Sequence, residues 1–109
     1  MIHFFGNQNS KIIAVQATKE LPIATITKLT WLFGDQPKLE QASLDAFFVG
    51  PRAAMITPWS TNAVEITQNM GVKNIIRIEE FETCKEDFEG FDPMISEKYN
   101  GLDQQSFTI

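Results

Sequence analysis

Apolar and β-branched residues open the chain in two short runs. Ile2-His3-Phe4-Phe5 is followed by the polar link Gly6-Asn7-Gln8-Asn9-Ser10, and then by Lys11-Ile12-Ile13-Ala14-Val15-Gln16-Ala17. Two β-prone runs across a link of turn formers predict a β-hairpin. Pro22 stands where a first helical turn tolerates proline, and Ile23, Ile26, Leu29 and Phe33 recur at helical spacing up to Gly34. That pattern predicts a helix with one apolar face and a glycine stop, although Thr25, Ile26, Thr27 and Thr30 lower its intrinsic propensity.

Residues 35–44 read as a polar connection broken by Pro37. The run Asp45-Ala46-Phe47-Phe48-Val49-Gly50-Pro51-Arg52 predicts a strand ended by Gly-Pro, and Ala54–Thr57 a short extended segment. Thr57-Pro58 is an N-cap followed by proline at the first helical position. Trp59, Ala63, Ile66 and Met70 then lie four, three and four apart, on one helical stripe ended by Gly71. Asn62 with Glu65 also fits a capping box, which would start the helix a turn later. Lys73–Phe81 predicts a strand with Ile76, Ile78 and Glu80 on one face and Ile75, Arg77, Glu79 and Phe81 on the other. Beyond Glu82 the pattern fades into acidic sequence punctuated by Gly and Pro.

The order β-β-α-β-α-β predicts an α+β fold in two layers, with two helices on one face of a mostly antiparallel sheet. Similar helix-and-strand content on either side of Gly50-Pro51 suggests a pseudo-repeat of one small unit. The expected division is a domain over 1–81 and an acidic, irregular extension or linker over 82–109.

Composition narrows the function classes. The chain has 109 residues, 43% of them hydrophobic, with nine Phe and two Trp, enough to build a single core. Its formal net charge is −5, and its nine basic residues are scattered, which argues against nucleic acid and against an anionic membrane surface. Glu79, Glu80, Glu82, Glu86, Asp87, Glu89, Asp92 and Glu97 crowd the C-terminal third, most simply as a solvated face rather than a metal site. A single cysteine, Cys84, makes no internal disulfide. There is no signal-peptide pattern at the N-terminus and no window of about 18 apolar residues, so a cytoplasmic protein is expected.

Candidate chemistry is sparse. Neither G-x-G-x-x-G nor G-x-x-x-x-G-K-[ST] occurs, no Cys/His cluster offers zinc ligands, and Asp87, Glu89 and Asp92 do not follow the order of a calcium loop. His3 lies inside a strand run and Cys84 sits among carboxylates that raise a thiol's pKa, so a thiol–imidazole dyad is the weakest reading. No catalytic, cofactor-binding or metal residue is therefore assigned. The stretch Thr57-Pro58-Trp59-Ser60-Thr61-Asn62 has two readings. It is a capped helix start with Trp59 as a buried anchor, or a contact surface whose free N–H groups and hydroxyls meet a partner, with Arg52 adding a fork-shaped donor. Arg52, Thr57, Trp59, Ser60, Thr61 and Asn62 are the candidate interdomain contacts.

Val49-Gly50-Pro51-Arg52, Ile56-Thr57-Pro58-Trp59-Ser60-Thr61-Asn62-Ala63, Asn69-Met70-Gly71 and Arg77-Ile78-Glu79 together resemble the N-terminal region of phosphoribosylformylglycinamidine synthase in its long single-chain form. The resemblance covers residues 45–81, with a looser echo at Asp92 and Met94, where Pro93 and Ile95 depart from the family pattern. It implies a PurS-like domain of a purine-biosynthesis ligase. The parent enzyme uses ATP, magnesium and glutamine to make formylglycinamidine ribonucleotide. Its synthetase and glutaminase parts, the latter with a Cys-His-Glu triad, lie downstream of such a region, so Cys84 is not that nucleophile and the chain is expected to be a fragment. The resemblance further implies a domain that joins glutaminase to synthetase, supports ammonia transfer and carries no catalytic residue. Self-association is expected if an apolar surface is left uncovered. The competing readings are a free-standing dimeric α+β interaction module and a small hydrolase built on Cys84 and His3.

Overall fold

The computed structural model describes residues 1–108. Seven elements follow one another: β1 (Ile2–Gly6), β2 (Lys11–Ala17), α1 (Ile23–Leu32), β3 (Leu44–Pro51), α2 (Pro58–Asn69), β4 (Ile75–Cys84) and β5 (Ser96–Leu102). The strands form one sheet in the order β1-β2-β4-β3-β5, and every neighbouring pair is antiparallel. This is the expected α+β architecture with one strand more. The pseudo-repeat is not confirmed: β1 and β2 form a hairpin, whereas β4 and β5 are separated by β3.

The hairpin closes as its turn formers require. Asn9 N–H donates to Asn7 Oδ1 at 2.8 Å, Asn7 N–H to the Lys11 carbonyl at 3.0 Å, and Gly6 takes φ +116°. A Cβ at Gly6 would stand 2.5 Å from the Lys11 carbonyl oxygen, so only glycine fits. β2 and β4 then pair along their length, from Lys11↔Glu82 to Ala17↔Ile75.

Each face of the sheet has its own core. On one face Phe5, Ile13, Val15 and Ile78 pack beneath the helices, with Leu29 of α1 fully buried among them. The other face carries Ile2, Phe4, Ile12, Ala14, Phe48 and Phe81, covered by Leu44, Leu102 and Phe107 rather than by a helix. Gln104 ties this cover to β1. Its Nε2 donates to the Ile2 and Ala42 carbonyls at 2.8 and 3.0 Å, and its Oε1 accepts from Ile2 N–H at 2.6 Å. Residues 37–39 guard the outer edge of β1, where Gly6 N–H donates to the Pro37 carbonyl and Leu39 N–H to that of Phe4. A strand edge so paired is closed to further strands.

Four expectations need correction. Residues 82–108 are not irregular, residue 109 lying outside the described residues: β4 runs on to Cys84, β5 joins the sheet along β3, and Phe107 lies in the second core. β5 is Ser-Glu-Lys-Tyr-Asn-Gly-Leu, without the alternation of a half-buried strand, because it lies at the sheet edge and buries only Leu102 fully. Ala54–Thr57 is loop rather than an extended element. The apolar stripe of α2 faces the sheet only in part: Ala63 and Met70 pack against the core, but Trp59 and Ile66 turn away from it. Ser60 and Thr67 are fully buried, while Trp59 and Ile66 are 45% and 46% exposed. The α1 stripe is also only partly inward, since Ile23 is 83% exposed.

β3 pairs with β4 over only three positions, Phe47↔Cys84, Phe48↔Thr83 and Val49↔Glu82. Beyond Val49 the strands separate, and Gly50 lies against the Phe81 ring so closely that a Cβ would overlap its carbons. Phe81 in turn packs edge-on to Tyr99 at 5.4 Å. Gly50→Ala must displace this ring, at a cost of about 1–3 kcal/mol. Urea unfolding should show that loss, and an unchanged midpoint would mean that Phe81 has another place to go.

Candidate functional site

The gap between β3 and β4 is closed by a buried polar clamp. Arg77 and Glu79, two residues apart on β4, share a face and are 3% and 1% exposed. Arg77 Nε donates to Glu79 Oε2 at 3.0 Å. The rest of the guanidinium gathers the loop after β3: one terminal nitrogen donates to the Ala53 carbonyl at 2.6 Å, the other to the Arg52 and Met55 carbonyls at 3.2 and 3.0 Å. Its plane lies 4.3 Å from the centre of the Phe107 ring, a cation–π contact that ties in the C-terminal tail. A buried ion pair is tolerable only when its remaining polar atoms are met, and here every guanidinium nitrogen and both carboxylate oxygens have a partner.

Glu79 carries the clamp into α2. Its Oε2 accepts from Thr57 N–H at 3.1 Å and its Oε1 from the Thr57 hydroxyl at 2.7 Å. The same hydroxyl accepts from Ser60 N–H at 3.0 Å and so caps the helix. Ser60 Oγ accepts from Ile78 N–H at 3.0 Å, taking a backbone donor of β4. Nearby, the Tyr99 hydroxyl donates to the Pro51 carbonyl at 2.7 Å; burial, then the Glu97 carboxylate, pushes its pKa up to about 12, so it remains a donor.

This geometry sorts the candidate contacts. Thr57 is the N-cap, and the helix begins at Pro58, without the later capping box at Asn62 and Glu65. Ser60 is fully buried, so it serves the interior and not a partner, a correction to its place among the contacts. Trp59, read as a buried anchor, is half exposed instead. Thr61 and Asn62 are exposed beside it. Arg52 is exposed, and its guanidinium donates to the Pro93 carbonyl at 3.1 Å. Trp59 divides two depressions: one of 180 Å³ lined by Pro51, Thr57, Glu79 and Glu80, and one of 230 Å³ between the helices lined by Leu32, Phe33, Asn62, Ala63 and Ile66. Sequence reading missed the clamp, although Arg77 and Glu79 on one strand face was its available signal.

The residues that a dyad would need stay apart. His3 pairs with Val15, which pairs with Ile78, whereas Cys84 lies six residues further along β4. At roughly 3.3 Å per strand residue that is about 20 Å. Burial pushes the Cys84 thiol up, away from the thiolate. His3 is buried with Nε2 unpartnered, and burial, then the Lys38 ammonium, hold its pKa below 6.5. Among the described residues no group of three His, Cys, Asp or Glu is placed to hold a metal ion, and no helix is long and apolar enough to cross a membrane.

A family model described as "Formylglycinamide ribonucleotide amidotransferase N-terminal" matches residues 10–101, most of the chain, and takes in the clamp and all of β5 but Leu102. No curated protein and no solved structure matches the chain.

Two stability experiments follow from this geometry. Glu79→Gln or Arg77→Met alone leaves a buried charge without its counter-charge and should cost about 3–5 kcal/mol. The double variant should cost less than the sum by roughly 1 kcal/mol or more. Urea unfolding of the cycle checks this, and additive losses would show that the pair is not coupled. For His3, the lowered folded pKa means that acid favours the unfolded chain. Stability should fall as pH drops below 6.5, until the folded imidazole itself takes a proton. Thermal unfolding of the wild type and of His3→Leu between pH 7.5 and 5.5 should show this slope only in the wild type.

Proposed function

The chain belongs to the formylglycinamide ribonucleotide amidotransferase N-terminal family, and from that premise we propose that it is a docking domain without catalysis of its own. The parent enzyme, in this reading, is a cytoplasmic ligase of purine biosynthesis. It uses ATP, magnesium and glutamine to convert formylglycinamide ribonucleotide to the formylglycinamidine. The domain's partners are the synthetase and glutaminase parts of that enzyme, and its work is to hold them in the relation that lets ammonia pass between them.

One observation carries the proposal. The polar side chains of the family-like block, Thr57, Ser60, Arg77 and Glu79, are bonded to one another and to the backbone inside the domain. They have little left to offer a substrate. What the block shows to the outside is Trp59, with Thr61 and Asn62 beside it. A half-exposed tryptophan on a rigidly capped helix is the anchor type that dominates protein interfaces.

In the parent enzyme, Trp59→Glu should lower glutamine-dependent product formation about tenfold or more, the scale of an interface hot spot. Ammonia-supported synthesis and glutamine hydrolysis should each persist when assayed separately. The 109-residue chain by itself should hydrolyse neither glutamine nor ATP. Full glutamine coupling in the variant, or glutaminase activity from the isolated chain, would remove the proposal.

A further inference from the structure

The connection from β4 to β5 must cross β3. β4 ends at Cys84, opposite Phe47 in the middle of β3, and β5 begins at Ser96, opposite Pro51 at its C-terminal end. Residues 85–95 make this crossing on the helix side of the sheet, where Phe88 lies with Val49, Glu82 and Cys84 around one depression. Lys98 of β5 holds the crossing from below. Its ammonium donates to the Glu86 and Phe88 carbonyls and pairs with Glu89 at 3.6 Å.

Between this crossing and the start of α2 the sheet face remains open. Three depressions join there, the second sharing Pro51, Thr57 and Glu80 with the first and Val49, Glu82 and Phe88 with the third. The largest measures 430 Å³. The apolar walls are Val49, Pro51, Trp59, Phe88, Phe91 and Ile95, of which Trp59 is 45% and Ile95 53% exposed. Glu80 and Glu82 lie along the floor, and Asp87 and Asp92 on the rim.

The local cations neutralise this trough only in part. Lys11 pairs with Glu80 at 3.2 Å, but Lys98 and Arg52 are turned to backbone carbonyls and Glu89, and Lys85 stands alone on the rim. Among the described residues Glu82 has no ion-pair partner. On a strand, Glu80 and Glu82 point to the same side about 6.5–7 Å apart. Arginines one helical turn apart, or two residues apart in an extended segment, are spaced to meet them.

We infer that this trough is a docking site for a polypeptide segment bearing apolar residues together with a pair of arginine or lysine side chains. The inference rests on the docking-domain reading and adds to it a surface and a partner chemistry. The apolar walls bury the partner's apolar side chains, and the two carboxylates fix its register by charge. Cys84, the chain's single cysteine, lines the end of the trough and reports on its occupancy.

The test uses a synthetic amphipathic peptide carrying leucines and an arginine pair one turn apart, and the same peptide with glutamates for the arginines. The arginine peptide should slow alkylation of Cys84 by iodoacetamide about fivefold or more, and should shift the amide resonances of Val49, Glu82 and Phe88. Glu82→Lys should abolish both effects and Glu82→Gln should weaken them, with thermal midpoints confirming that each variant is folded. Equal protection by the glutamate peptide, or shifts confined to the groove between α1 and α2, would overturn the inference. So would loss of coupling in Trp59→Glu parent enzyme beside unimpaired peptide binding by Glu82→Lys, an outcome that keeps the docking-domain reading and discards the trough.

Discussion

The buried pairing of Arg77 with Glu79 is the interaction on which the domain's shape depends. It sits where β3 has already parted from β4, so no strand ladder is available to hold the chain. In place of a ladder, one guanidinium collects three carbonyls of the following loop, and one carboxylate collects the N–H and hydroxyl of the residue that caps α2. The arrangement converts a strand's side chains into a mould for a loop and a helix start. Its net energy is small, because taking two charges out of water is costly and the hydrogen bonds only offset that cost. Its value is geometric: with each guanidinium nitrogen and both carboxylate oxygens committed, the loop and the helix have one register.

The phase of α2 follows from that register. Thr57 is fixed as the cap by Glu79, and Ser60 is bonded to Ile78 N–H. With Ser60 turned to the sheet, a helical step of about 100° brings Thr67, seven residues on, to the same side and turns Trp59 and Ile66 outward. Two polar residues thus occupy the buried face and two large apolar residues the exposed one. Thr67 Oγ1 meets its need locally by donating to the Val64 carbonyl at 2.6 Å. The inversion gives up some apolar burial and gains a fixed orientation for Trp59.

Most of the architecture was legible in the sequence. The hairpin, both helices, β3 and most of β4 announce themselves through periodicity, and Thr57-Pro58 marks the start of α2 to the residue. The failures share a cause, which is tertiary context overriding local pattern. The Trp59–Met70 stripe predicts burial by hydropathy, but hydropathy does not foresee that a serine hydroxyl would replace a neighbouring strand as acceptor for Ile78 N–H. β5 has almost no strand signature, because it is an edge whose pairing depends on residues 50 positions earlier. The alternation that placed Arg77 and Glu79 on one face was read correctly. What they hold could not be read, since their partners are backbone carbonyls and a threonine some twenty residues away.

A recognisable motif usually marks chemistry, because reacting groups tolerate little variation. The block that resembles this family is occupied for a different reason. Gly50 admits the Phe81 ring, Pro51 accepts from Tyr99, Thr57 and Ser60 close the helix start, and Arg77 and Glu79 close the gap in the sheet. Each of these residue types meets a fit inside the domain, so the motif can be specific on structural grounds alone. Trp59 is the exception: it makes no bond of the clamp, it is half exposed, and the clamp still determines where it points. The polar residues of the clamp thus fix the direction of one outward tryptophan.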